Sequence, residues 1–305
     1  MLKRWKILLP AILAAFMLCI FLPGKENETQ LSGSGEDASA KEMIRLMLPE
    51  EESALSAAGE AVTATAEGEL CDLLLPDYEA PEINDSPKSY SVSGEHNILI
   101  YHTHNTEAYT PTEDSQYTPS GSYRTYDESN NVVAVGDVLA EELTKYGFNV
   151  IHDKTDHEPP KLSTAYDRSV VTMEKYAREY PDIDIFIDLH RDACDAYSSD
   201  DYLTIDGKQC ARMMFVVGKG EAFEIKPDFE KNYAFANALS DTLNGYSEGL
   251  AKKICVKKGR YNQHIGNLSC LIEIGQNKNT LNQAKNSARL FAKAMSQTVK
   301  VDNTQ

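Results

Sequence analysis

The sequence predicts a three-layer α/β sandwich on a mostly parallel sheet, preceded by an N-terminal transmembrane helix and an acidic, flexible tether. Two observations carry this. From residue 94 onward, short apolar runs alternate with stretches of helical spacing, the pattern of strand–helix–strand units. Three of the runs end in clusters of His, Asp and Glu, and in such sheets functional residues gather at the carboxyl ends of strands.

The chain has 305 residues and a formal charge of −17, which excludes a generic nucleic-acid binder that must neutralise phosphates. The charge is unevenly placed. Residues 1–23 carry +3 from Lys3, Arg4 and Lys6, residues 24–93 carry −12, and residues 94–305 carry −8. Ile7 to Leu22 is uncharged, between the length of a signal-peptide core and a full span. No small-x-small cleavage site follows, so residues 1–23 read as an uncleaved anchor rather than a signal peptide. Its basic flank puts the N-terminus in the cytoplasm and the body outside. Residues 24–93 are rich in Glu, Ser, Ala and Gly and read as a tether. Its short apolar islands, among them CDLLLPDYEAPEI, are candidates for docking on a partner or on the body.

Residues 94–305 form the expected catalytic domain. NILIY (97–101) reads as a buried strand. Val132 to Tyr146 reads as a helix stopped by Gly147, and FNVI (148–151) as the next strand. Ser163 to Tyr180 is helical, with Val170, Met173 and Ala177 on one face and Pro181 as the stop. DIDIFIDL (182–189) and MMFVV (213–217) are strands, Tyr233 to Leu243 a helix, and Ile254 to Val256 and LIEI (271–274) strands. Leu281 to Met295 closes the chain, with Ala284, Ala288, Phe291 and Met295 inward. Of six cysteines, Cys19 and Cys71 precede the body and Cys194, Cys210, Cys255 and Cys270 lie in it. No CxxC pair occurs, and spacing assigns no disulfide, so buried or free thiols are expected.

The polar clusters are HTHNTE after the first strand, DLHRD after the third and Glu273 inside LIEI. Zinc hydrolases need side-chain N and O ligands, an open position for water and a carboxylate base. His104, Glu107 and His190 are the candidate ligands, and Glu273 the catalytic carboxylate. An unpaired carboxylate among Leu271, Ile272 and Ile274 would cost several kcal/mol unless it faced a polar site, a cation or a salt bridge. Asp188 is a candidate to orient His190. His102 shares a side with His104 and could replace or support it. Arg191 is a candidate carboxylate clamp or a surface ion pair, and His264 a candidate cleft residue.

HTHNTEAYTPTE, YRTYDESNNVVAVGDVLAEEL, IDLHRDA and YNQHIGNLSCLIEIGQNKNTLNQA resemble the stage II sporulation protein P family over about residues 94–300. The body is also similar, more distantly, to zinc N-acetylmuramoyl-L-alanine amidases of the cell-wall hydrolase type. The resemblance implies a membrane-held, extracytoplasmic Zn2+ amidase acting on peptidoglycan in septal wall remodelling and engulfment. It also implies two partners, sporulation protein D and a membrane scaffold protein. The late LIEIGQNKNTLNQA element implies a catalytic role for Glu273. In the general amidases the metal-binding Glu opens the first helix, which here points to Glu128. Glu107 is favoured because HxxE binds from one strand end without relying on a long loop. A zinc peptidase that cuts stem-peptide cross-links shares the same residues, and a metal-free wall-binding module would share the fold.

Overall fold

The computed structural model describes residues 76–81, 89–193 and 201–302, which belong to one compact unit, Glu60–Gln305. The expected anchor, most of the tether, and Cys19, Cys71 and Cys194 lie outside the described residues. Among the described residues no helix is long and apolar enough to cross a membrane.

The elements run β1 (Tyr90–Val92), β2 (Ile98–Tyr101), α1 (Val132–Lys145), β3 (Val150–His152), α2 (Ala165–Glu179), β4 (Ile185–Asp192), β5 (Tyr202–Ile205), β6 (Lys208–Ala211), β7 (Met213–Gly218), α3 (Phe229–Tyr246), β8 (Cys255–Lys257), β9 (Leu268–Gln276), α4 (Leu281–Thr298) and β10 (Val299–Val301). The main sheet has the order β3-β2-β4-β9-β7-β8. Its pairs are parallel except β7–β9, where β7 reverses direction and carries β8 with it.

Alternation along the strands sorts the core. Ile98, Ile100, Ile185, Ile187, Phe215 and Ile272 face one side, where Leu139 of α1, Leu239 of α3 and Phe291 of α4 cover them. On the other face Leu99, Tyr101 and Phe186 pack on Met173 of α2. Beyond α2 on this second face lies a smaller patch of Met214, Val216, Cys255 and Leu271, against which Tyr261 packs. The helix starts are set by local chemistry. The Asn131 side chain caps α1, and Thr280 with Gln283 forms a capping box at α4, directly after the strand that bears Glu273.

Several expected boundaries move. The strand expected at 182–189 is β4 at 185–192, because residues 181–182 form a turn closed by the Ile183 N–H on the Tyr180 carbonyl at 3.1 Å, and the Asp182 carboxylate accepts from the His96 N–H at 2.7 Å. Its far end extends because β9 supplies partners past residue 189. His190 therefore sits within the strand rather than after it. α3 and α4 run past their expected ends, to Tyr246 and Thr298. The β5–β6 hairpin was not anticipated, although Asp206 (φ +50°) and Gly207 (φ +76°) between YLTI and KQCA are a two-residue hairpin turn. Two docked pieces precede residue 94. β1 pairs in parallel with β10, and Asp77 donates its N–H to the Val256 carbonyl on the outer edge of β8 at 2.8 Å. Cys210, Cys255 and Cys270 are buried.

Candidate active site

The site lies where β2 and β4 end, beside β9, on the α2 face of the sheet. His190 of β4 stands in register with Glu273 of β9, and Glu273 in turn with Met214 of β7. All three point to the second face, which is why a carboxylate can sit in an otherwise apolar strand. Past the bulge after His190, Gly275 adopts φ +76°, and a Cβ there would meet Ala211 at 2.8 Å.

His104 follows β2 in a turn that brings its ring 5.5 Å from the His190 ring, centroid to centroid, and 5.8 Å from Tyr166. Glu107 is placed by its backbone. It bridges Arg124, and its carbonyl accepts from Val132 N–H at 2.8 Å, at the start of α1. Its carboxylate accepts from the Arg191 N–H at 3.1 Å and lies 3.4 Å from His190 Nδ1 and 3.5 Å from an Arg124 guanidinium nitrogen. Glu128, the alternative third ligand, is exposed in the turn before α1. Asp188 lies 2.9 Å from His190 Nε2, off the angle of a hydrogen bond, and accepts from Thr103 N–H (2.8 Å) and Thr103 O–H (2.7 Å).

Burial would raise Glu107, but the hydrogen bond and charge of His190, with Arg191 and Arg124, hold it well below the usual carboxylate range. Burial raises Glu273 well above that range; His190 opposes this, and the carboxylates of Glu107 and Asp192 add to it. Glu273 is only 4% exposed, and one of its oxygens has no hydrogen-bond partner. Burial alone would lower His190, yet Asp188 and Glu107 hold it protonated well above its ordinary value.

Other expected residues take different places. His102 Nδ1 donates to the Leu189 carbonyl at 2.8 Å, and its Nε2 lies 2.9 Å from His152 Nε2. Both nitrogens are engaged within the protein, and burial and His152 push it down to about 3. Arg191 is buried rather than at the surface, and its guanidinium donates to the carbonyls of Ala108 (2.9 Å) and Tyr123 (2.8 Å). His264 is half-buried, with Arg260 and Glu174 as its charged neighbours. Arg124, Thr103 and Glu158 were not anticipated. Thr103 sits inside HTHNTE without the ligand chemistry of its neighbours, and loop geometry alone brings in Arg124 and Glu158.

As the side chains are placed, no group of three or more His, Cys, Asp or Glu among the described residues is assembled as a metal centre. The residues nevertheless fit a divalent cation. The His104 and His190 rings stand 5.5 Å apart, the Glu107 carboxylate lies 3.4 Å from His190 Nδ1, and a Glu273 oxygen is buried without a hydrogen-bond partner. Two carboxylates around His190 favour positive charge there, now supplied by a proton that a metal would displace.

A family model described as stage II sporulation protein P matches residues 25–296. The chain belongs to the stage II sporulation protein P family. A relative from Bacillus subtilis (strain 168), "Stage II sporulation protein P", is 27% identical over 242 residues, covering 76% of this chain. The chain spans 58% of that relative's length. Solved structures with similarity include an N-acetylmuramyl-L-alanine amidase from Mycobacterium abscessus (14% identity, 66% of this chain and 96% of that one, TM-score 0.39). Another is the catalytic domain of an N-acetylmuramoyl-L-alanine amidase from Bacillus (Paenibacillus) polymyxa var. colistinus (13%, 67% and 95%, TM-score 0.37).

Proposed function

We propose that this family member is a zinc-dependent peptidoglycan hydrolase that cleaves the amide between N-acetylmuramic acid and L-alanine of the stem peptide. The observation that carries the reading is the meeting of His104, Glu107 and His190 at adjoining strand ends, with buried Glu273 in register beside His190. Membership of the sporulation family supports peptidoglycan as the substrate.

His104, Glu107 and His190 would hold the ion. When bound, zinc supplies a polarised carbonyl and a water of lowered pKa. The chain's own residues do the rest. Arg124 and the Arg191 N–H keep Glu107 ionised and aimed at His190. Thr103 fixes Asp188, which backs His190. Glu273 takes a proton from the attacking water and gives it to the leaving amine. Its raised pKa is the direction that a proton carrier working near neutrality requires. The same reading carries a membrane-held enzyme outside the cytoplasm, working in septal remodelling and engulfment beside sporulation protein D and a membrane scaffold protein.

The test incubates the full chain with peptidoglycan, with and without chelator. The expected products are free stem peptides and peptide-less glycan strands, lost on chelation and restored by zinc. Intact lactyl–alanine bonds with cut cross-links would overturn the amidase in favour of a peptidase.

A further inference from the structure

The loop between β3 and α2 brings a carboxylate to His104 that no motif announces. Glu158 Oε1 lies 3.6 Å from His104 Nδ1, and the Glu158 side chain is 11% exposed. It is held from two sides, by Arg124 at 2.6 Å and by the Thr106 hydroxyl. The loop itself is clamped. Arg168 donates to the carbonyls of His157 (2.5 Å), Glu158 (3.0 Å) and Lys161 (2.7 Å), and His157 Nδ1 donates to the His102 carbonyl at 2.8 Å. Glu158 is therefore presented to His104 by a braced loop.

The other histidine has a matching arrangement. Asp188 faces His190 Nε2, so the nitrogen turned toward Glu107 is Nδ1. A ring nitrogen that faces a carboxylate keeps its proton, which leaves the opposite nitrogen with the lone pair. We propose that Glu158 is a positioning residue for His104: it fixes the Nδ1–H tautomer and orients the ring so that Nε2 is the metal-ligating atom. Each imidazole of the pair then has its own carboxylate behind it, Asp188 for His190 and Glu158 for His104. The inference rests on the zinc reading above. It adds which nitrogen of each histidine serves the ion, and a fourth acidic residue that acts without touching it.

Carboxylates behind a metal-bound histidine typically change metal affinity by about 10–100-fold. The test measures zinc affinity of the full chain by competition with a chromophoric chelator, for wild type, Glu158→Gln and Glu158→Asp. We expect Glu158→Gln to bind one zinc per chain about 10–100-fold more weakly, with Glu158→Asp recovering part of the loss. Nitrogen-15 NMR of the His104 ring in the metal-free protein supplies a readout that loop packing alone does not move. Wild type should show the Nδ1–H tautomer, and Glu158→Gln a mixture. Unchanged affinity and tautomer in Glu158→Gln would overturn the inference and leave the zinc reading standing. Complete loss of stoichiometric zinc in that variant would also overturn it, by making Glu158 a ligand. Absence of zinc binding in wild type would instead sink the proposed function. Thermal unfolding of each variant separates these outcomes from misfolding.

Discussion

Glu273→Ala is expected to lower turnover on peptidoglycan by about 10²–10⁴-fold, the range that a positioned proton carrier contributes. Zinc content should stay near one per chain. The side chain is in register with His190 and buried, and its raised pKa reflects burial and nearby carboxylates rather than a salt bridge. Removing it relieves a buried carboxyl, so stability should hold or rise slightly. Metal analysis beside muropeptide kinetics checks both halves. A variant that loses its zinc would make Glu273 a ligand, and one that keeps full turnover would end its catalytic role.

Arg191→Leu is expected to destabilise the fold by about 3–5 kcal/mol, the cost of breaking a buried charged network from one side. The guanidinium satisfies the Ala108 and Tyr123 carbonyls, and the residue's N–H binds Glu107. Loss of the side chain takes the guanidinium donor from the buried Ala108 carbonyl, leaves the Tyr123 carbonyl with only the Ala108 N–H, and removes a positive neighbour from Glu107. Urea unfolding should show a lower midpoint with an unchanged slope. A variant of normal stability with only a raised KM would mean that Arg191 clamps substrate instead.

The sheet was legible because its strands obey simple patterns. ILIY, IFIDL and MMFVV are apolar runs that only a sheet covered on both faces can bury. The direction of β7 was not legible, since a run reads the same whichever way its neighbour points. Of the site, His104, His190 and Glu273 stood out because polar groups at apolar strand ends need a reason. Glu107 over Glu128 was an argument from spacing, and the structure places one against His190 and leaves the other exposed. Arg124 and Glu158 were invisible. They are 34 residues apart and meet through a loop bridge and a clamp of backbone carbonyls, neither of which has a sequence period.

The docked pieces before residue 94 have a mechanical consequence. A pull from the N-terminal side reaches the edge of β8 first, where Asp77 bonds Val256 and Lys258, and then the β1–β10 ribbon. Both are small, peripheral sets of hydrogen bonds, the kind that opens locally at low free energy while a buried sheet stays closed. A load applied there is expected to open these contacts before the buried strands β2, β4 and β9 part. On the proposed reading, the strands that carry the histidine pair would keep their spacing under such a load.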